Sequence, residues 1–112
     1  MPTKNELEPF SRITVQEAKE MIDNGDVQVI DSREGWEHEE GHVPGSLNIP
    51  HMATLPRARD LATDKPILFI CKSGARSAVA AEFAATMGLT DLYNVEGGII
   101  AWANAGYEVE KD

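Results

Sequence analysis

The chain has 112 residues, 42% of them apolar, and a formal net charge of −9. That length suits one domain, 1–112, with a buried core, and the acidic balance disfavours nucleic acid and anionic membrane surfaces, which are bound through cationic faces. One cysteine leaves no internal disulfide, no Cys-x-x-Cys redox pair and no cysteine zinc site within one chain, and His38, His42 and His51 lack metal-ligand spacing, so no metal is expected.

The opening stretch, MPTKNELEPF, has no apolar core of signal-peptide length, and a cytoplasmic location is the expectation. No apolar run approaches the ~18 residues of a membrane span. Thr14-Val15-Gln16-Glu17 reads as a capping box. Val15, Ala18, Met21 and Ile22 then recur at helical spacing until Gly25. VQVID is rich in β-branched residues and reads as a buried strand; REGWEHEEGH is polar, with room for one short helical turn. GSLNIP reads as a short strand ending at Pro50, and MATLPRARDLA as a helical segment broken by Pro56. PILFIC is the clearest central strand, followed by a helix from about Arg76 to Met87 that Gly88 stops. LYNVE is another strand and GGIIAWANAG a last helix between glycines. Strands alternating with helices predict an α/β domain with a mostly parallel sheet, in which ligands sit beyond the carboxyl ends of the strands.

Cys71 stands at the carboxyl end of the best strand and just before a helix N-terminus. Lys72 and Arg76 are close in sequence, and residues 41–90 carry a net charge of +2 between flanks of −7 and −4. A helix N-terminus and nearby cations lower a thiol's pKa, and the thiolate is the nucleophile. Ser73, Gly74 and Ala75 are small, and Gly74 can take positive φ, so successive N–H groups can face inward as an anion-binding nest. The alternative is a small core hydrophobe at a strand end; the glycine, the two cations and the strand–loop–helix setting weigh against it.

Three stretches taken together resemble the single-domain rhodaneses over about residues 13–109: VIDSREGWEHEEGHVPGSLNIP, with an Asp-x-Arg segment and then a Gly-His-x-Pro-Gly segment, ILFICKSGARSAVAA, and NVEGGIIAWANAGYEV, with a Gly-Gly-x-x-x-Trp segment. The resemblance implies a rhodanese-like α/β fold with a five-stranded, mostly parallel sheet and helices on both faces. It implies a sulfurtransferase in which Cys71 takes the outer sulfur of thiosulfate or a persulfide donor and becomes a persulfide, and a thiol or cyanide then accepts that sulfur. Lys72, Ser73, Gly74, Ala75, Arg76 and Ser77 would form the substrate cradle, with Arg76, helped by Lys72, on the anionic end of the donor. No metal or organic cofactor is implied. Four residues separate Cys71 from Arg76, one fewer than in the cysteine phosphatases, and the shorter loop suits a sulfur atom better than a phosphoryl group.

Asp31 and Arg33 fall on the active-site side, either shaping the pocket or forming a structural ion pair, and the structural reading is favoured. His42 belongs to the motif and is expected to tie down a loop by hydrogen bonding. His38 stands where the family has an aromatic residue and is read as a solvated loop histidine. Ser32 and Ser46 replace family residues and should matter little where they only pack. Trp102 and Trp36 can be read as pocket-lining or as core, and core is the expectation for Trp102; Arg57 and Arg59 either add positive potential near the site or are solvated. Two further functions compete with the enzyme: a persulfide carrier serving a sulfur-acceptor protein, and a silent binding domain, which the presence of Cys71 disfavours.

Overall fold

The computed structural model describes residues 2–111. Its first helix, α1 (Val15–Asn24), begins where Thr14 Oγ accepts from the Glu17 N–H at 3.1 Å and Glu17 Oε1 accepts from the Thr14 N–H at 2.8 Å. This reciprocal pair satisfies two amides that a helix start leaves without partners. The helix stops at Gly25, which takes a φ of +80° and returns its N–H to the Ile22 carbonyl.

Five strands run parallel: β2 (Ser11–Ile13), β3 (Gln28–Asp31), β4 (Leu47–Asn48), β5 (Ile67–Ile70) and β6 (Leu92–Val95). A short edge strand, β1 (Thr3–Lys4), pairs antiparallel with β2, which makes six strands in the order β1-β2-β6-β5-β3-β4. β5 lies at the centre between β3 and β6, with Ile70 paired to Asp31 and Phe69 to Asn94. This register brings the carboxyl ends of three strands together just before Cys71.

Successive side chains of a strand point to opposite faces, and β5 supplies a core on each side of the sheet. Ile67 and Phe69 pack with Phe10, Ile49 and the alanines Ala80, Ala81 and Ala84 of α3 (Ala75–Thr86). Leu68 and Ile70 face the other way, onto Val15 and Ala18 of α1 and Trp102 of α4 (Gly98–Asn104). Alanine is the residue that lets α3 sit close to the sheet. Trp102 is buried as expected, and its Nε1 donates to the Glu108 carbonyl at 2.8 Å.

The segment after β4 departs from expectation. In place of a helix it forms two 3₁₀ turns, His51–Ala53 and Ala58–Asp60. Pro56 removes an amide donor and biases Leu55 away from helical geometry. Arg57, read as pocket or surface, braces this segment by donating to the Asn48 carbonyl at 2.9 Å and to Asp60 at 3.0 Å. No helix is long and apolar enough to cross a membrane among the described residues.

Candidate active site

The loop after β5 curls because Gly74 takes a φ of +114° immediately before α3. That turn points the Gly74 N–H at Cys71 Sγ, 3.1 Å away. The Ser77 hydroxyl lies 3.3 Å from the same sulfur. Cys71 itself is only 1% exposed, so the sulfur meets fixed donors in place of bulk water. Burial pushes its pKa up, but the Ser77 hydroxyl and the amides of Ser77, Gly74 and Ser73 outweigh it, and the thiol lies below its ordinary value. The sequence offered two sources of that lowering, the cations Lys72 and Arg76 and the inward-facing N–H groups of the loop; in the structure hydrogen-bond donors supply it, the Ser77 hydroxyl foremost, while Lys72 stands exposed at the rim.

The loop is held from outside by the start of α4. The N–H of Ile99 donates to the Cys71 carbonyl at 2.8 Å, and that of Ile100 to the Lys72 carbonyl at 3.3 Å. Gly98 makes this approach possible: a Cβ there would lie 2.4 Å from the Lys72 carbonyl oxygen and 2.5 Å from that of Cys71, and its φ is +58°. A side chain at this position would therefore displace the cradle. From β6, the Asn94 side chain donates to the Gly74 carbonyl at 3.1 Å.

Arg76 leaves the first turn of α3 and meets Glu37 of α2 (Gly35–Glu40). Its Nη1 and Nη2 donate to the two carboxylate oxygens at 2.7 and 2.9 Å. Arg76 holds the Glu37 carboxyl far below the usual carboxylate range, down to about 2. The folded pKa is depressed, so this pair stabilises the fold above the unfolded value of about 4.3 and its contribution fades as pH falls toward about 2.

The Asp-x-Arg segment forms a buried ion pair, as favoured from the sequence. Arg33 Nη2 donates to Asp31 at 2.8 Å and to the Gly41 carbonyl at 2.7 Å. Burial opposes the Asp31 charge; Arg33 and His38 outweigh it and keep the carboxyl below its ordinary value. His38 is a correction: it is buried, with Nδ1 donating to Asp31 at 2.8 Å and its ring stacked on His42 at 3.7 Å. The helical turn of α2 swings it inward, where the carboxylate compensates its polar nitrogen. His42 ties the loop as expected, giving its Nδ1 proton to the His38 carbonyl at 2.6 Å and exchanging backbone hydrogen bonds with Glu110.

Ser32, between the ion-pair partners, is fully buried, and its hydroxyl finds no hydrogen-bond partner among the described residues. An unsatisfied buried hydroxyl costs about 1–3 kcal/mol. Ser32→Ala is expected to raise the urea midpoint, with a gain of roughly 1 kcal/mol; an equal or lower midpoint would show that the hydroxyl is paired in solution.

Among the described residues no group of three His, Cys, Asp or Glu side chains is placed to hold a metal ion. The site is a cysteine in a tight loop of hydrogen-bond donors, flanked by an arginine, at the carboxyl edge of a parallel sheet. A model of the rhodanese-like domain family matches residues 14–105. The chain belongs to that family. It is 40% identical to YqhL of Bacillus subtilis over 67% of this chain and 60% of that protein. It is 30% identical to the thiosulfate sulfurtransferase GlpE of Pseudoalteromonas translucida, over 86% of this chain and 91% of that one. The crystal structure of a rhodanese-related protein from Thermoplasma volcanium superposes with a TM-score of 0.82 at 36% identity, covering 90% of this chain and 98% of that one.

Glu37 and Asn94 were not singled out from the sequence. Asn94 did leave a signal: asparagine is depleted in strands, and here it sits in the middle of an otherwise apolar one, fully buried.

Proposed function

We propose that the protein is a sulfurtransferase working through a Cys71 persulfide. The observation that carries this reading is the sulfur itself: one thiol, buried, lowered in pKa and faced by the Gly74 amide and the Ser77 hydroxyl. The thiolate attacks the outer sulfur of thiosulfate; a Cys71 S–S bond forms, the donor's S–S bond breaks, and sulfite leaves with the electron pair. With a persulfide donor the leaving group is a thiolate. The amides of Lys72, Ser73, Gly74, Ala75, Arg76 and Ser77 form the cradle for the transferred sulfur. Cyanide or a thiol then attacks that sulfur and restores the Cys71 thiolate, splitting one transfer into two steps. No cofactor is called for, and a free thiol as nucleophile fits the reducing cytoplasm.

Arg76 serves the anionic end of the donor, with Lys72 at the rim. Glu37 complicates that role, because the guanidinium already spends two donors on it. An incoming anion must share Arg76 with a carboxylate. Glu37→Gln is expected to lower the KM for thiosulfate several-fold, and Arg76→Ala to raise it by the loss of a charge-assisted contact, about 1.5–3 kcal/mol, plus exposure of the donor to an unpaired Glu37. Initial rates against thiosulfate concentration read both; a higher KM in Glu37→Gln would mean that Glu37 holds Arg76 in its working position.

A second reading, persulfide carriage to an acceptor protein, draws on the open groove beside the loop. It has a volume of ≈ 380 Å³ and is lined by Lys72, Trp36, Ile99, Ile100 and Val109, with Trp36 64% exposed. Both readings are tested by intact mass after thiosulfate and then cyanide. A gain of one sulfur atom that cyanide removes as thiocyanate supports the enzyme. A gain only from a persulfide donor supports the carrier, and no gain from either donor overturns both.

A further inference from the structure

The Ser77 hydroxyl lies within hydrogen-bond distance of two acceptors, Cys71 Sγ at 3.3 Å and Asn94 Oδ1. A serine hydroxyl has one proton to donate, so it cannot serve both. Asn94 cannot escape the competition by turning its amide over. Its Nδ2 donates to the Gly74 carbonyl at 3.1 Å and to Glu96 Oε2 at 2.8 Å, and a flip would forfeit both bonds. Glu96 is itself fixed by Arg12, whose Nη1 lies 2.9 Å from each carboxylate oxygen. Asn94 and Ser77 are both fully buried, so water does not substitute for either partner.

We propose that Asn94 is a positioning residue that competes with the Cys71 sulfur for the Ser77 proton and thereby sets how readily the thiol ionises. In the thiol form the chain is complete: Cys71 S–H donates to Ser77 Oγ, and Ser77 O–H donates to Asn94 Oδ1. When the thiol gives its proton to a solvent base, the sulfur becomes an acceptor and the hydroxyl turns to it. Asn94 Oδ1 is then left buried without a partner, a cost borne by the thiolate state. Neither Ser77 nor Asn94 gains or loses a proton. On the reading that Cys71 becomes a persulfide, the inner sulfur is then neutral, and the hydroxyl returns to Asn94. The hydroxyl therefore turns twice in each transfer cycle.

The charged groups around this relay are Arg76 with Glu37 of α2, Lys72 in the loop, Asp31 and Arg33 at the end of β3, and Glu96 with Arg12 behind Asn94. A substitution at Asn94 touches only Glu96 among them, and a second background controls for that. The chain has one cysteine, so no second thiol contributes to the ultraviolet absorbance of the thiolate, and a Cys71→Ser blank subtracts the two tyrosines. Asn94→Leu is expected to lower the titration midpoint by about one unit, because the hydroxyl then has no other acceptor. In Ser77→Ala the midpoint rises, and adding Asn94→Leu to that background moves it no further. An unchanged or raised midpoint in Asn94→Leu, or an equal fall in the Ser77→Ala background, overturns the proposal. The infrared S–H stretch needs no change at Asn94: a hydrogen-bonded band in the parent that moves to the free position in Ser77→Ala supports the relay, and a free band in the parent overturns it. Neither readout uses a sulfur donor, so a failure of persulfide formation remains a separate result.

Discussion

Cys71→Ser is expected to abolish sulfur transfer and to leave the chain folded. Serine keeps the shape of the side chain and can still accept from the Gly74 amide and the Ser77 hydroxyl, whose positions are set by Gly74 and by α3. What it loses is the nucleophile. An alkoxide does not form at neutral pH in this cradle, and an oxygen does not take up sulfane sulfur to give a persulfide. Turnover with thiosulfate and cyanide should fall to background, with no mass gain and with the parent's thermal transition within a few degrees. Turnover at the parent's rate in Cys71→Ser sinks the covalent mechanism. Loss of activity with loss of folding would place Cys71 among the structural groups.

The second large effect lies at Asp31. Asp31→Ala removes the carboxylate that is hydrogen-bonded to Arg33, which is itself 6% exposed, and takes the same carboxylate from His38. Breaking a buried pair by deleting one side costs about 3–5 kcal/mol, because the remaining charge is stranded. Replacing both charges with apolar groups is often close to neutral. The double variant Asp31→Ala, Arg33→Met should therefore recover much of the loss, measured by urea unfolding followed through buried Trp102. A loss below about 1 kcal/mol in the single variant would show that the pair is solvated. The effect should also reach the active site, where a freer Arg76 is expected to lower the KM for thiosulfate, as in Glu37→Gln. His38 and Glu37 are neighbours on α2, so loosening α2 at His38 loosens the carboxylate that holds Arg76.

The parts of this site that the sequence made legible are those whose causes are local. A β-branched or apolar run, a small-residue loop and an alanine-rich segment ending in glycine define β5, the cradle and α3. The capping box at Thr14 defines α1 for the same reason. The four strands read from the pattern, β3 to β6, are present, while β2, of three residues, and β1, of two, are too short for any periodicity. What escaped was contact between distant positions. Glu37 meets Arg76 across 39 residues, and Asn94 meets Gly74 across 20. His38 followed a polar run and read as solvent-facing, because nothing in its neighbours announces that Asp31 lies beneath it. The N–H nest around Cys71 was legible from its small residues; that the Ser77 hydroxyl, more than the cations beside Cys71, acts on the thiol was not.

The sheet order has a consequence for how the molecule is made. β2 lies near the start of the chain, yet its parallel partner is β6, with Ser11 paired to Tyr93. During synthesis α1, β3, β4 and β5 emerge while the slot between β2 and β5 is still vacant. The sheet closes only when residues 92–95 have left the ribosome, and the cradle is clamped only when Gly98, Ile99 and Ile100 follow. Contacts of such long sequence separation fold slowly and late. The nascent chain thus carries an open edge on its central strand, and a loop around the thiol not yet clamped, until the first turn of α4 is translated.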